Sequence, residues 1–248
     1  MITWLKYTLG GILAAGFIAG AVLLEMEAEK LRADKTCSRI SVILADEYRF
    51  VNEDDVRKMV LERYGDCTGQ ILDSIGLSRI ESLLDSHTAI QKSQAWVTDD
   101  GRLNISVTQR KPVIRFMDGE KGYYVDATGH IFPLFERFTA EAPVVEGPGP
   151  QDSLWIRKMV DMVNYMKPQW MDRTRDIRCN GKGEITMDFA DGDEAFLFGQ
   201  PEDLDTKFRK VRQYFNSIKP NGRNYSKVDL RIEGQIICKQ MADTASIH

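Results

Sequence analysis

The chain holds three histidines and four cysteines among its 248 residues, and nucleophilic, acid-base or metal chemistry would draw on these side chains first. His87 falls where a helical pattern gives way to a strand, His130 follows a turn and His248 is terminal. None has the H-E-x-x-H spacing that sets two imidazoles on one helix face for zinc. Cys37, Cys67, Cys179 and Cys238 contain no C-x-x-C pair and join no Cys/His cluster, so they read as disulfides or as buried thiols. Four cysteines allow three pairings. If the chain beyond its apolar start is exported, the expectation is one bridge in each half, Cys37 with Cys67 and Cys179 with Cys238.

The carboxylates point no more clearly to a reaction. Glu53, Asp54 and Asp55 stand together, but three acids at a helix start answer the helix dipole and water before they answer a cation. The segment EGPGPQD lacks the lysine and Ser/Thr of a phosphate loop, and no G-x-S-x-G elbow occurs. No catalytic residue, metal ligand, cofactor or small-molecule substrate is expected. Acidic side chains number 37 against 33 basic ones, a net charge of −4, which disfavours phosphate and hence nucleic-acid binding. At 43% apolar and 28% charged, the chain can bury a core. What remains is recognition of another polypeptide.

The elements that would position such a surface begin with Leu9 to Leu24, a run without charge. It spans about 24 Å, and counting from Trp4 about 31 Å, roughly the thickness of a bilayer core. Lys6 precedes the run and Glu25, Glu27 and Glu29 follow it, so the start stays in the cytoplasm and the rest is exported. The expectation is a cytoplasmic start at 1–3, a transmembrane signal anchor at 4–25 and a juxtamembrane linker at 26–37. A cleaved signal peptide, with Ala19 and Ala21 before the cut, is the alternative.

Ser38 to Ala45 alternates as a strand. Asn52 caps a helix that Gly65 ends, and Ser78 and Glu81 have capping-box spacing at the start of a second helix. Strands follow at Ile90 to Thr98 and Leu103 to Gln109 around the turn Asp99 to Gly101. The order is therefore βααββ over 38–110. From 111 to 240 short strands dominate: Val113 to Met117, Tyr123 to Val125, Glu184 to Phe189, Glu194 to Phe198, Lys227 to Ile232 and Gln235 to Lys239. Amphipathic helices at Ser153 to Met166 and Glu202 to Ser217 interrupt them. This is an α+β chain whose second domain is a mostly antiparallel sheet with helices packed on one face, ending in a flexible tail at 241–248.

In this order the residues resemble the bacterial FtsQ/DivIB cell division family. The βααββ region is similar to its POTRA domain (polypeptide-transport-associated). GRLNISVTQRKPVIRF resembles the strand that crosses its domain junction, YYVDATGHIF the hairpin of its β-domain, APVVEG its proline-led stretch and YSKVDLRIEGQIICK its closing strands. The resemblance implies a non-enzymatic, single-pass inner-membrane protein of the divisome, with a cytoplasmic N-terminus and its bulk in the periplasm at the septum. It also implies partners of the FtsB/DivIC and FtsL type and, indirectly, the septal peptidoglycan synthase complex. Carried over by position, the partner-binding residues are Val228, Asp229, Leu230, Arg231, Ile232, Glu233 and Gly234. Ile232 stands where some relatives carry an aromatic side chain. Val228, Leu230 and Ile232 share one face of a strand, and if that strand lies at a sheet edge its free backbone groups can receive a partner strand. An internal strand is the alternative. A POTRA-bearing transport or envelope assembly factor is the rival function.

Overall fold

The computed structural model describes residues 17–22 and 35–241, which divide into two compact units between Gln109 and Arg110. Most of the expected membrane anchor at 4–25 lies outside the described residues, as do 1–3, 26–34 and 242–248. Residues 17–22 are helical, with Phe17 and Ile18 exposed. Among the described residues no helix is long and apolar enough to cross a membrane.

The first unit runs β1 (Arg39–Leu44), α1 (Glu53–Arg63), α2 (Leu77–Asp85), β2 (Ile90–Thr98) and β3 (Arg102–Gln109). Its sheet has the order β1-β3-β2, with β1 parallel and β2 antiparallel to the central β3. Val42, Leu103, Ile105 and Val107 are buried together with Val56, Val60, Ile80 and Leu84 of the helices, the result expected of period-2 and period-3.6 stripes that bury one face each. Asn52 caps α1 as expected, accepting from the Asp55 amide at 2.8 Å. At α2 the expected capping box does not form. The helix starts at Leu77, the Gly76 amide donates instead to the Tyr64 hydroxyl at 2.7 Å, and Glu81 is used elsewhere.

Glu81 and Asp85 cover the outer edge of β2. The Ala95 amide donates to the Glu81 carboxylate at 2.7 Å and the Ser93 amide to Asp85 at 2.6 Å, so helix side chains satisfy donors that would otherwise invite another strand. Residues 35–37, expected to be linker, belong to this unit. Thr36 bridges Ile71, and Cys37 is 1% exposed. At the far end Gln109 is 2% exposed and ties the β3 terminus to the 46–51 loop. Its amide nitrogen donates to Asp46, and its side-chain oxygen accepts from the Val51 amide at 2.9 Å.

The second unit is one sheet in the order β12-β11-β10-β9-β8-β7-β4-β5-β6. Its strands are β4 (Pro112–Asp118), β5 (Lys121–Asp126), β6 (Ile131–Pro133), β7 (Val144–Glu146), β8 (Thr174–Cys179), β9 (Ile185–Phe189), β10 (Ala195–Gly199), β11 (Tyr225–Asp229) and β12 (Ile237–Gln240). The sheet is mixed. The β4–β7, β7–β8 and β10–β11 pairings are parallel and the others antiparallel.

Helices α3 (Ser153–Met166) and α4 (Leu204–Gln213) bury Trp155, Ile156, Met159, Val163, Phe208 and Val211 in one core with Phe116, Ile177, Met187, Phe196 and Val228. Each such side chain contributes roughly 1.5–3 kcal/mol on leaving water. Asp152 caps α3 by accepting from the Leu154 and Trp155 amides. The indole of Trp155 donates to the Gly183 carbonyl at 3.0 Å. Only glycine fits there, because φ is +77° and a Cβ would lie 2.4 Å from the indole nitrogen. The second helix is shorter than the expected Glu202 to Ser217. Asp203 takes a left-handed conformation before Leu204, and a π-turn at Tyr214–Ile218 replaces the last turns.

Candidate partner-binding edge

The side chains singled out for chemistry do not converge. His87 is half-buried with Nδ1 accepting from the Ala89 amide at 3.3 Å, and burial first, then the Arg63 charge, holds its pKa below the usual histidine value. His130 is held through its main chain, its amide donating to Asp126, and His248 lies outside the described residues. Glu53 and Asp54 pair with Arg57. Among the described residues no three His, Cys, Asp or Glu side chains are placed to hold a metal ion.

The cysteines separate. Cys179 on β8 and Cys238 on β12 are four strand spacings apart, about 19 Å across the sheet. A disulfide spans about 4.4–6.8 Å between Cα atoms. The expected Cys179–Cys238 bridge is therefore excluded. Cys179 instead donates to the Gly147 carbonyl at 3.5 Å, and burial first, then Asp118, pushes its thiol up to about 11.

The strand expected at Lys227 to Ile232 is not an edge. β11 ends at Asp229 and is paired on both sides: Val228 lies opposite Phe196 of β10 and opposite Cys238 of β12. The Leu230 amide donates to the Leu197 carbonyl at 3.0 Å, which extends the inner pairing one residue further. Val228 and Leu230 are core residues at 0% and 1% exposure. The reason lies in the turn that follows, for Glu233 and Gly234, with φ +68° at the glycine, reverse the chain and lay β12 over the side that the sequence left open.

The turn is held from beneath. Lys210, 7% exposed on α4, donates through Nζ to the Leu230 carbonyl at 2.9 Å and to the Ile232 carbonyl at 2.5 Å. Above it, Arg231 makes a two-pronged pair with Asp229, 2.7 Å at the closer oxygen, and also faces Glu184 at 3.6 Å. That guanidinium is the first cause of the lowered Asp229 pKa. Lys210→Met should cost the second unit about 2 kcal/mol, because one buried and one part-buried carbonyl lose a charged donor. A urea midpoint for this unit's transition checks it, with Lys210→Arg recovering part of the loss.

Among the described strands β6 ends the sheet on one side, and the free edge beside the Glu233-Gly234 turn is β12. It ends the sheet on the other, and no described strand pairs with its outer side. The Met241 amide donates inward to Asn224 at 3.1 Å. Backbone groups alternate in an antiparallel strand, so Lys239 and Ile237 also face β11 while the amides and carbonyls of Cys238 and Gln240 face out. Along this rim Ile232 and Ile237 are each 45% exposed and Met241 58%. Lys239 lies directly opposite Lys227, a like-charge pair that an incoming carboxylate would relieve. Sequence reasoning chose the neighbouring strand. The signal for β12 was its length and its polar, half-exposed composition after a Glu-Gly turn.

Residues 111–239 match the family described as FtsQ/DivIB, C-terminal related, and residues 35–108 match the POTRA-like domain. A cell division protein FtsQ from Salinibacter ruber (strain DSM 13855 / M31) is 29% identical over 135 residues, 52% of this chain and 49% of that protein. The chain thus spans about half the length of that curated relative.

Proposed function

Because this chain belongs to the FtsQ/DivIB family, we propose that it is a non-enzymatic cell division scaffold of the inner membrane that captures partner polypeptides by strand addition. The observation that carries this reading is the outer edge of β12, where Cys238 and Gln240 present backbone donors and acceptors beside exposed Ile232, Ile237 and Met241. An extended partner segment gains main-chain hydrogen bonds there, and its alternate side chains meet the apolar rim and Lys239. Of the residues carried over from the family, Arg231, Ile232, Glu233 and Gly234 form the exposed approach to this edge. Val228, Asp229 and Leu230 support it from within.

The partners proposed are FtsB/DivIC-like and FtsL-like proteins, which couple the scaffold to septal peptidoglycan synthesis. The anchor at 4–25 would hold both units outside the cytoplasm at the division site. The POTRA-like unit has covered one of its sheet edges with Glu81 and Asp85, which favours the second unit as the strand acceptor. A photo-crosslinker placed at Lys239 or Gln240 in dividing cells, with identification of the captured protein, tests the reading. The expected result is a division protein of the FtsB/DivIC or FtsL type and a midcell band for a fluorescent fusion. An even membrane rim with no division protein captured would overturn it.

A further inference from the structure

We propose that Cys37 and Cys67 form a structural disulfide that clamps the entry of the chain into the first unit, while Cys179 and Cys238 remain thiols. Two backbone bonds fix Cys37 against the 67–71 loop: its amide donates to the Gln70 carbonyl at 2.8 Å, and its carbonyl accepts from the Gly69 amide at 2.7 Å. A third, from the Gln70 amide to the Cys67 carbonyl at 3.1 Å, folds Cys67 back in a four-residue turn toward the same place. The Thr36–Ile71 bridge extends this junction by one residue pair. Both side chains are buried, at 1% and 0% exposure. Burial first, then the neighbouring Cys37, pushes the Cys67 thiol up to about 11.

Neither sulfur is committed to a strong bond that pairing would forfeit. Cys37 Sγ donates to the Arg39 carbonyl at 3.6 Å and Cys67 Sγ to the Gly65 carbonyl at 3.9 Å, long contacts from a weak donor. In the oxidation the two thiols give up two protons and two electrons and join as S–S. The disulfide of a small thiol oxidant such as oxidised glutathione, or of an envelope thiol-disulfide oxidoreductase, is cleaved to two thiols. The loop so closed encloses β1 and α1 and meets the chain where residues 35–37 enter the fold. Tension arriving from the N-terminal side would then meet a covalent loop rather than backbone hydrogen bonds alone. The inference rests on the proposed exported topology, since disulfides do not persist in a reducing cytosol.

The test uses the full chain, unfolded in urea and refolded in a mixture of oxidised and reduced glutathione. Free thiols are then alkylated under denaturing conditions and peptides are read by mass spectrometry. The expected outcome is a Cys37–Cys67 linked peptide with Cys179 and Cys238 alkylated, and a melting temperature of the first unit that falls by roughly 10 °C on reduction. In Cys37→Ser the Cys67 peptide should appear alkylated. Alkylation of Cys37 and Cys67 alike in the refolded, cooperatively melting chain would overturn the pair. The same labelling on acid-quenched cells addresses topology separately. Linked cysteines there support the clamp in place, whereas free ones beside a linked refolded sample overturn the exported placement.

Discussion

A proline at Gln240 is expected to weaken capture of the partner strand at least tenfold while the second unit still unfolds cooperatively and near its original midpoint. Gln240 is exposed and its amide faces away from β11, so the substitution deletes a donor that only an incoming strand would use. Proline is tolerated in strands at such outward edge positions. A proline at Asp229 is the contrasting case. Asp229 pairs with Leu197 on one side and Ile237 on the other, and its side chain holds Arg231. Breaking an internal ladder there should cost about 3 kcal/mol or more, so lost capture in Asp229→Pro would report lost structure. The pair is read by crosslinking efficiency against denaturant midpoint. Undiminished capture by a folded Gln240→Pro would remove β12 as the acceptor.

That contrast also marks how far the sequence reaches. The βααββ order was legible because each element buries one face, and the alternation of Ser38 to Ala45 or the Val56/Val60 spacing states that face locally. Which strand ends a sheet is not a local property. Tyr225–Asp229 and Ile237–Gln240 both alternate, and only the path of the Glu233-Gly234 turn decides that the second lies outside the first. β8 (Thr174–Cys179) escaped notice because Arg175, Asp176 and Arg178 make it look solvated. Asp176 and Arg178 alternate to the face opposite buried Ile177 and Cys179, and Arg178 is fastened to Asp188 at 2.7 Å. The capping box read at Ser78 and Glu81 failed for a related reason, since tertiary structure gave Glu81 to the Ala95 amide. The even cysteine count suggested one bridge per half, and only strand order separates Cys179 from Cys238.

Glu194→Ala is expected to destabilise the second unit by about 3 kcal/mol, because it strips two neighbours of one buried acceptor. The carboxylate is 5% exposed, accepts from the Tyr214 hydroxyl at 2.7 Å and from Lys219 Nζ at 3.0 Å, and so fastens the start of β10 to the π-turn after α4. Without it the Tyr214 hydroxyl is buried and unpaired, and the Lys219 ammonium, lying over the Phe215 ring, keeps only the Asp191 carbonyl as acceptor. Removing one partner of such a group leaves the others desolvated without compensation. Burial alone would raise the Glu194 pKa, but the Tyr214 hydroxyl, the backbone and Lys219 together hold it below its ordinary value of 4.5. A depressed carboxylate stabilises the fold fully above its unfolded pKa, and that contribution is lost as pH falls through the lower folded value. The unit's urea midpoint should therefore drop as pH is lowered from about 5. In Glu194→Gln, which keeps an acceptor but not the charge, the drop should be shallower. An unchanged acid limb in Glu194→Gln would mean that Asp126 or Asp229, whose pKa values are also lowered, carries it instead. Because Tyr214 packs on Phe196 and Tyr225, acid would loosen β10 and β11 first, and β11 is the strand against which the edge strand β12 is laid.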